Sequence, residues 1–117
     1  MAVIAEACQN HNGDFNLLKE MIDAASLAGA TYFKIQSFFA HDVDKKWRAE
    51  HYDRMKKLEL SDEQHSEVSK LCLAKKLIPM TSVYTFRYAE MLNKAGFKHI
   101  KIPSTHCANE TLIRKYL

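Results

Sequence analysis

The sequence predicts an α/β fold of parallel βα repeats, four βα units in succession. Three observations carry that prediction. Short apolar runs alternate with longer segments of helical period from one end of the 117 residues to the other. The helical segments open on capping residues or close on glycine. The runs between them favour β-branched and aromatic residues, as residues 31–37 show. Such alternation requires parallel strands joined by right-handed crossovers, in an open doubly wound sheet or in a barrel.

Residues 2–8 read as a buried strand built on the run Val3-Ile4-Ala5. Asp14 is an N-cap, after which Phe15, Leu18, Met21, Ile22 and Ala25 recur at helical spacing until Gly29 stops the helix. Residues 31–37 are the second strand. Residues 38–60 are less regular, with a short helix expected over 52–58. Ser61 and Gln64 form a capping box for a helix through Val68, Leu71, Cys72 and Ala74. Residues 77–83 are the third strand, with Pro79 near its start, where a missing N–H is tolerated. Residues 86–95 form a helix closed by Gly96, and residues 97–102 form the fourth strand. Asn109 caps a last helix that keeps Leu112, Ile113 and Tyr116 on its apolar side.

By length the chain is one domain, residues 1–117. Hydrophobic residues make up 47% and charged residues 26%, which places it among globular proteins and excludes a disordered tail. A net charge of +3, with lysines and arginines dispersed among acids, argues against nucleic acid as a partner. No apolar run is long enough to span a bilayer, no basic-then-apolar leader stands at the start, and no membrane role is expected. Cys8, Cys72 and Cys107 are odd in number and lack CxxC spacing, so reduced thiols and a cytoplasmic location are expected. Neither GxGxxG nor a P-loop lysine occurs, which counts against nucleotide binding.

Strand alternation sorts the polar residues. Lys34 and Gln36 share one face of the second strand, while Phe33, Ile35 and Ser37 share the other. Lys101 lies likewise between Ile100 and Ile102 in the fourth strand, and Glu6 is similarly placed in the first. In a barrel the apolar face meets the helices, so Lys34, Gln36 and Lys101 face the interior near the carboxyl ends of their strands, where function resides. A buried ammonium needs a carboxylate, solvent or an anionic ligand. The residues alone leave two readings open: a polar core layer in which the lysines pair with Glu6 and other acids, or an anion site.

The segments "IAEACQNHNGD", "AGATYFKIQSF", "LELSDEQHSEVSKLC" and "KIPSTHCANETLI" resemble, in order and at family-like spacings, four motifs of the N-acetylneuraminate (sialic acid) synthase family. The resemblance implies a (β/α)8 barrel, of which four units are the first half. It also implies condensation of phosphoenolpyruvate with N-acetylmannosamine or a related N-acetylated amino sugar. By the same resemblance Lys34 and Lys101 hold the phosphoenolpyruvate anion with Ser104 beside them, and Gln36 and Glu6 lie on the sugar side. Asn10, with His11 and Asn12, forms a polar rim supporting Glu6. A divalent metal, manganese or magnesium, is expected for the full-length enzyme, with ligands outside this chain.

Two departures from the family pattern stand out. The family's Gly-acid pair after the serine is Thr105-His106 here, so His106 joins Glu6 as the candidate catalytic group, a histidine being able to act as a base near neutral pH. Four units also leave a half-barrel with open edges, so a longer chain or association of copies is expected, and the 117 residues by themselves are expected to be inactive. Two rival readings remain: a non-catalytic remnant that keeps its anion pocket, and a related phosphoenolpyruvate-dependent sugar-acid synthase acting on an aldose phosphate. Among the remaining residues, His41, Asp42 and His51 read as solvated loop, Tyr84, Phe86 and Tyr88 as ordinary packing, and Cys8 as a small buried hydrophobe.

Overall fold

The computed structural model describes residues 1–43 and 49–116, apart from the side chains of Val43, Ala49, Phe86 and Lys115. The expectations for residues 44–48 and for the packing of Phe86 therefore lie outside the described residues. Four strands, β1 (Ile4–Cys8), β2 (Tyr32–Ser37), β3 (Ile78–Val83) and β4 (His99–Lys101), form one sheet in the order β1-β2-β3-β4, every neighbour parallel. Between them run α1 (Phe15–Leu27), then α2 (Ala40–Val43), α3 (Ala49–Leu58) and α4 (Asp62–Ala74), then α5 (Ala89–Ala95); α6 (Glu110–Tyr116) follows β4. The order never reverses, as it would at the switch point of a doubly wound sheet. This is the connectivity of a barrel wall.

Local chemistry explains the boundaries. The Asn16 and Leu17 N–H groups donate to Asp14 Oδ1 at 2.8 and 3.2 Å, which caps α1. At α4 the Gln64 N–H donates to Ser61 Oγ and the Ser61 N–H to Gln64 Oε1, the reciprocal box that the spacing predicts. Asn109 Oδ1 accepts from the Leu112 N–H at 3.0 Å and caps α6. The two outer strands are shorter than expected, Ile4–Cys8 against 2–8 and His99–Lys101 against 97–102, because each has a ladder on one side only. The expected helix over 86–95 begins as a single 3-10 turn (Phe86–Tyr88), since Tyr88 supplies no side-chain cap to α5. Among its described residues the 38–60 segment holds two helices, α2 and α3, and α3 starts at Ala49, ahead of the expected 52.

The two faces of the sheet differ. Ala7, Phe33, Ile35 and Val83 pack against Leu18 and Ile22 of α1, Val68 and Cys72 of α4, and Leu92 of α5 to form the core. Beyond the strand carboxyl ends, Phe38, Ala40, Met55 and Leu58 make a smaller cluster. On the opposite face lie Ile4, Glu6, Tyr32, Lys34, Gln36, Met80, Ser82, His99 and Lys101, with the Tyr32 and His99 rings edge-on at 5.2 Å. This second face carries no helix among the described residues, and Ile4 is 43% exposed on it. Among the described residues no helix is long and apolar enough to cross a membrane.

Under the core face runs a buried polar chain. His65 in the first turns of α4 sits with Nδ1 2.8 Å from the Ser61 carbonyl oxygen and Nε2 2.8 Å from Ser37 Oγ, and Ser37 Oγ lies 2.7 Å from Thr81 Oγ1. Ser37, His65 and Thr81 are fully buried. Burial pushes the His65 imidazole below the ordinary histidine value of 6.5, and does the same to His11. A group with a depressed folded-state pKa stabilises the fold above its unfolded value, and that stabilisation is lost as pH falls. Unfolding free energy from urea titrations should therefore hold steady just above pH 6.5 and fall below it. In His65→Gln the slope below pH 6.5 should flatten; a slope equal to that of the unsubstituted protein would count against this origin.

Candidate functional site

The uncovered face brings together most of the residues that strand alternation singles out. Register sets Glu6 opposite Lys34, and Gln36 opposite Ser82, which in turn is opposite Lys101. The Lys34 side chain is only 2% exposed, and its Nζ donates to Glu6 Oε1 at 2.7 Å and to Ser82 Oγ at 3.4 Å. Glu6 remains 47% exposed. The hydrogen bond from Lys34 holds the Glu6 carboxyl below the usual carboxylate range against the opposing pull of its partial burial, with further attraction from the charges of Lys34 and Lys101. Lys101 is exposed, and among the described residues it joins no ion pair. The Oε1 of Gln36 is buried without a hydrogen-bond partner among the described residues.

The reading that pairs the lysines with internal acids thus holds for Lys34 and not for Lys101. One cation is neutralised within the sheet, and a second, two strands away on the same face, joins no ion pair among the described residues. An unpartnered buried acceptor next to them is the kind of group that a donor on a ligand satisfies.

The loops above the strands supply the remaining candidates. Ser104 and His106 share a 3-10 turn (Ser104–His106) after β4, with Ser104 exposed and His106 Nδ1 2.9 Å from Thr105 Oγ1. The His106 ring meets Tyr84 edge-on at 5.8 Å, and Tyr84 meets Phe38 edge-on at 6.3 Å. Tyr84 also lies within electrostatic reach of Cys8 and Lys34, and burial raises its phenol pKa. It packs against the Phe38 cluster, as expected, and also connects His106 to the Lys34 side of the mouth. Tyr88 does pack, with its hydroxyl donating to the Phe38 carbonyl at 2.9 Å.

Three other expectations change. His11 is not part of an open rim: it is 3% exposed, and its Nδ1 accepts from the Gly13 N–H at 3.2 Å. That turn is pressed so closely on α3 that a Cβ on Gly13 would lie 2.6 Å from the Lys57 carbonyl oxygen, and Gly13 also has φ +82°. Asn10 is exposed, with its N–H donating to the Ala7 carbonyl and no side-chain bond to Glu6 among the described residues. Cys8 is not a passive core residue, since a register irregularity after Glu6 gives it φ +50° and brings its Sγ 3.8 Å from Glu6 Oε2. His41 and Asp42 belong to α2, where Arg87 Nη1 donates to His41 Nε2 at 2.9 Å and lies 3.7 Å from Asp42 Oδ1.

Among the described residues no three His, Cys, Asp or Glu side chains gather to hold a metal. A sequence-family model, the NeuB family, matches residues 21–117. The chain belongs to the NeuB family. It is 34% identical over 132 residues to the N,N'-diacetyllegionaminic acid synthase of Legionella pneumophila, an alignment covering 94% of this chain and 37% of that protein. An uncharacterised protein of Methanocaldococcus jannaschii is 32% identical over 113 residues, covering 97% of this chain and 33% of the relative. The chain thus spans about a third of the length of these relatives.

Among solved structures, the N-acetylneuraminic acid synthetase of Leptospira borgpetersenii, in complex with citrate, superposes with a TM-score of 0.90 at 27% identity, over 97% of this chain and 39% of that one. A spore coat polysaccharide biosynthesis protein of Bacillus subtilis gives a TM-score of 0.78 at 27% identity, over 98% of this chain and 32% of its own. These likenesses confirm the α/β arrangement of four parallel strands alternating with helices. The relatives named by activity are N,N'-diacetyllegionaminic acid synthase and N-acetylneuraminic acid synthetase.

The Glu6–Lys34 pair makes an asymmetric prediction. Glu6→Ala leaves a buried ammonium with one weak hydroxyl partner and should cost about 1–3 kcal/mol in urea unfolding. Lys34→Met leaves a half-exposed carboxylate that water can solvate, and should cost less or nothing. Equal losses, or a larger loss in Lys34→Met, would show that the pair is not held as described.

Proposed function

We propose that this chain is part of a barrel enzyme that condenses phosphoenolpyruvate with N-acetylmannosamine or a related N-acetylated amino sugar to give a nonulosonic acid and phosphate. The observation that carries the reading is the unequal lysine pair. Glu6 answers Lys34, Lys101 has no ion-pair partner among the described residues, and the orphaned Gln36 Oε1 lies in the same row. A ligand with both a phosphate and a carboxylate suits two cations on one sheet face, two strands apart, of which one is already compensated. The family and the named activities of the relatives support the same class.

In this reaction carbon 3 of the enol attacks the open-chain aldehyde, water adds at carbon 2, and the C–O bond to phosphate breaks. Lys34 and Lys101 bind and orient the anion, with Ser104 at its edge. Glu6 fixes Lys34 and, with its second oxygen and Gln36 Oε1, accepts from sugar hydroxyl or amide groups. His106 stands on the turn where a base would serve the attacking water, with Nδ1 already bonded to Thr105 and Nε2 left for that role. Asn10 lies at the outer lip. The donor set described here does not fit a divalent metal, because its mouth carboxylate is engaged by Lys34. The open edges of β1 and β4 are completed by further strands, from the remainder of a longer chain or from a second copy.

Phosphate release from phosphoenolpyruvate by the longest natural form of the protein, with N-acetylmannosamine and manganese, tests the proposal. The expected result is release that requires the sugar. Binding of phosphoenolpyruvate with no turnover on any of several amino sugars would instead indicate a remnant anion pocket. Turnover only with an aldose phosphate would indicate the related synthase class.

A further inference from the structure

We infer that His65 is a positioning residue for this mouth, acting from the far side of the sheet through Ser37 and Thr81. Hydrogen-bond accounting gives the chain a direction. The Ser61 carbonyl can only accept, so His65 Nδ1 carries the ring proton. In the neutral ring Nε2 then accepts from the Ser37 hydroxyl. That spends the only proton of Ser37, so Thr81 donates to Ser37 Oγ at 2.7 Å. The carbonyl oxygens of Ile35 and Ser82, at 3.3 and 3.2 Å from Thr81 Oγ1, are the longer alternatives.

This one-way chain joins the first turn of α4 to β2 and β3 at their carboxyl ends. Its strand members alternate directly with the mouth residues: Ser37 follows Gln36, and Thr81 precedes Ser82, whose hydroxyl touches Lys34. Tyr88 and Phe97 close over the imidazole, with ring centroids at 5.5 and 6.2 Å, so the chain is sealed from solvent. It cannot work as a hydrolytic triad, because Ser37 is fully buried and the third member is a backbone carbonyl. A dry, fully satisfied chain across two strands fixes their relative position more tightly than apolar packing alone. The Lys34–Ser82 and Lys34–Glu6 contacts depend on that position.

The role matters for catalysis only if the proposed function holds, but its test needs no substrate. The Glu6 carboxyl reports the Lys34 contact through its lowered titration midpoint, which carbon NMR follows in the ligand-free protein. Thr81→Val keeps the shape and deletes the hydroxyl; Ser37→Ala breaks the next link. In both, the Glu6 midpoint should rise toward the ordinary 4.5. Thr81→Ser keeps the hydroxyl, and Val68→Ala weakens α4 packing while sparing the chain. Both should lower the melting temperature and leave the Glu6 midpoint in place. A Glu6 midpoint unmoved in Thr81→Val and Ser37→Ala, or moved as far in Val68→Ala, would overturn the inference. Nitrogen NMR of His65 adds an independent check: protonation at Nε2 instead of Nδ1 at neutral pH would also overturn it.

Discussion

A lysine with 2% of its side chain exposed sits in the middle of a strand, and much of this structure follows from how it is kept there. An isolated ammonium in such a place is unstable by several kcal/mol, so a partner must arrive at hydrogen-bond distance. The partner is Glu6, from the adjacent strand, at 2.7 Å. Because strand side chains alternate, the pairing also enforces register: a slip of one residue would swing Lys34 into the apolar core with Leu18, Ile22 and Val68. The ion pair therefore specifies which face of the sheet is core and which is mouth. It is a constraint on alignment more than a source of net stability.

The same alternation gives the sheet two kinds of polar chemistry, one on each side. The mouth face is charged and partly wet, with Glu6 half exposed and Lys101 open to solvent. The core face holds a neutral, dry chain of hydroxyls and one imidazole whose members are satisfied by one another and by backbone carbonyls. Both involve β2 and β3, and both lie toward the strand carboxyl ends, where a barrel enzyme gathers its ligands. Positions that read as plain strand in one dimension, such as Ser37 and Thr81, become structural elements of the mouth in three.

What could be read from the sequence was local or periodic. The Asp14 cap and the Ser61–Gln64 box depend on neighbours within three residues, and both stand as expected. The orientation of Lys34, Gln36 and Lys101 followed from a period of two, once a barrel wall was assumed. What could not be read depended on distant pairing. His65 meets Ser37 across 28 residues, and Ser37 meets Thr81 across 44. The register irregularity that turns Cys8 toward Glu6 has no signature in composition, and Tyr84 reaches His106 only because two loops fold over the same strand ends. Alternation along residues 77–83 already sets Ser82 on the face opposite Thr81, while its place beside Gln36 depends on the β2–β3 register. His11 misled for another reason: a polar residue in a polar loop reads as exposed, yet its ring is buried where it satisfies a turn N–H.

Glu6 neutralises Lys34, and in the proposed function Lys101 is the cation that draws in the anionic substrate. Calorimetric titration of phosphoenolpyruvate into the protein and into Lys101→Met tests it most directly. Loss of one charge-assisted contact should weaken binding by about tenfold or more, the equivalent of ~1.5–3 kcal/mol, with the fold intact. Equal affinity in the two proteins would contradict the account.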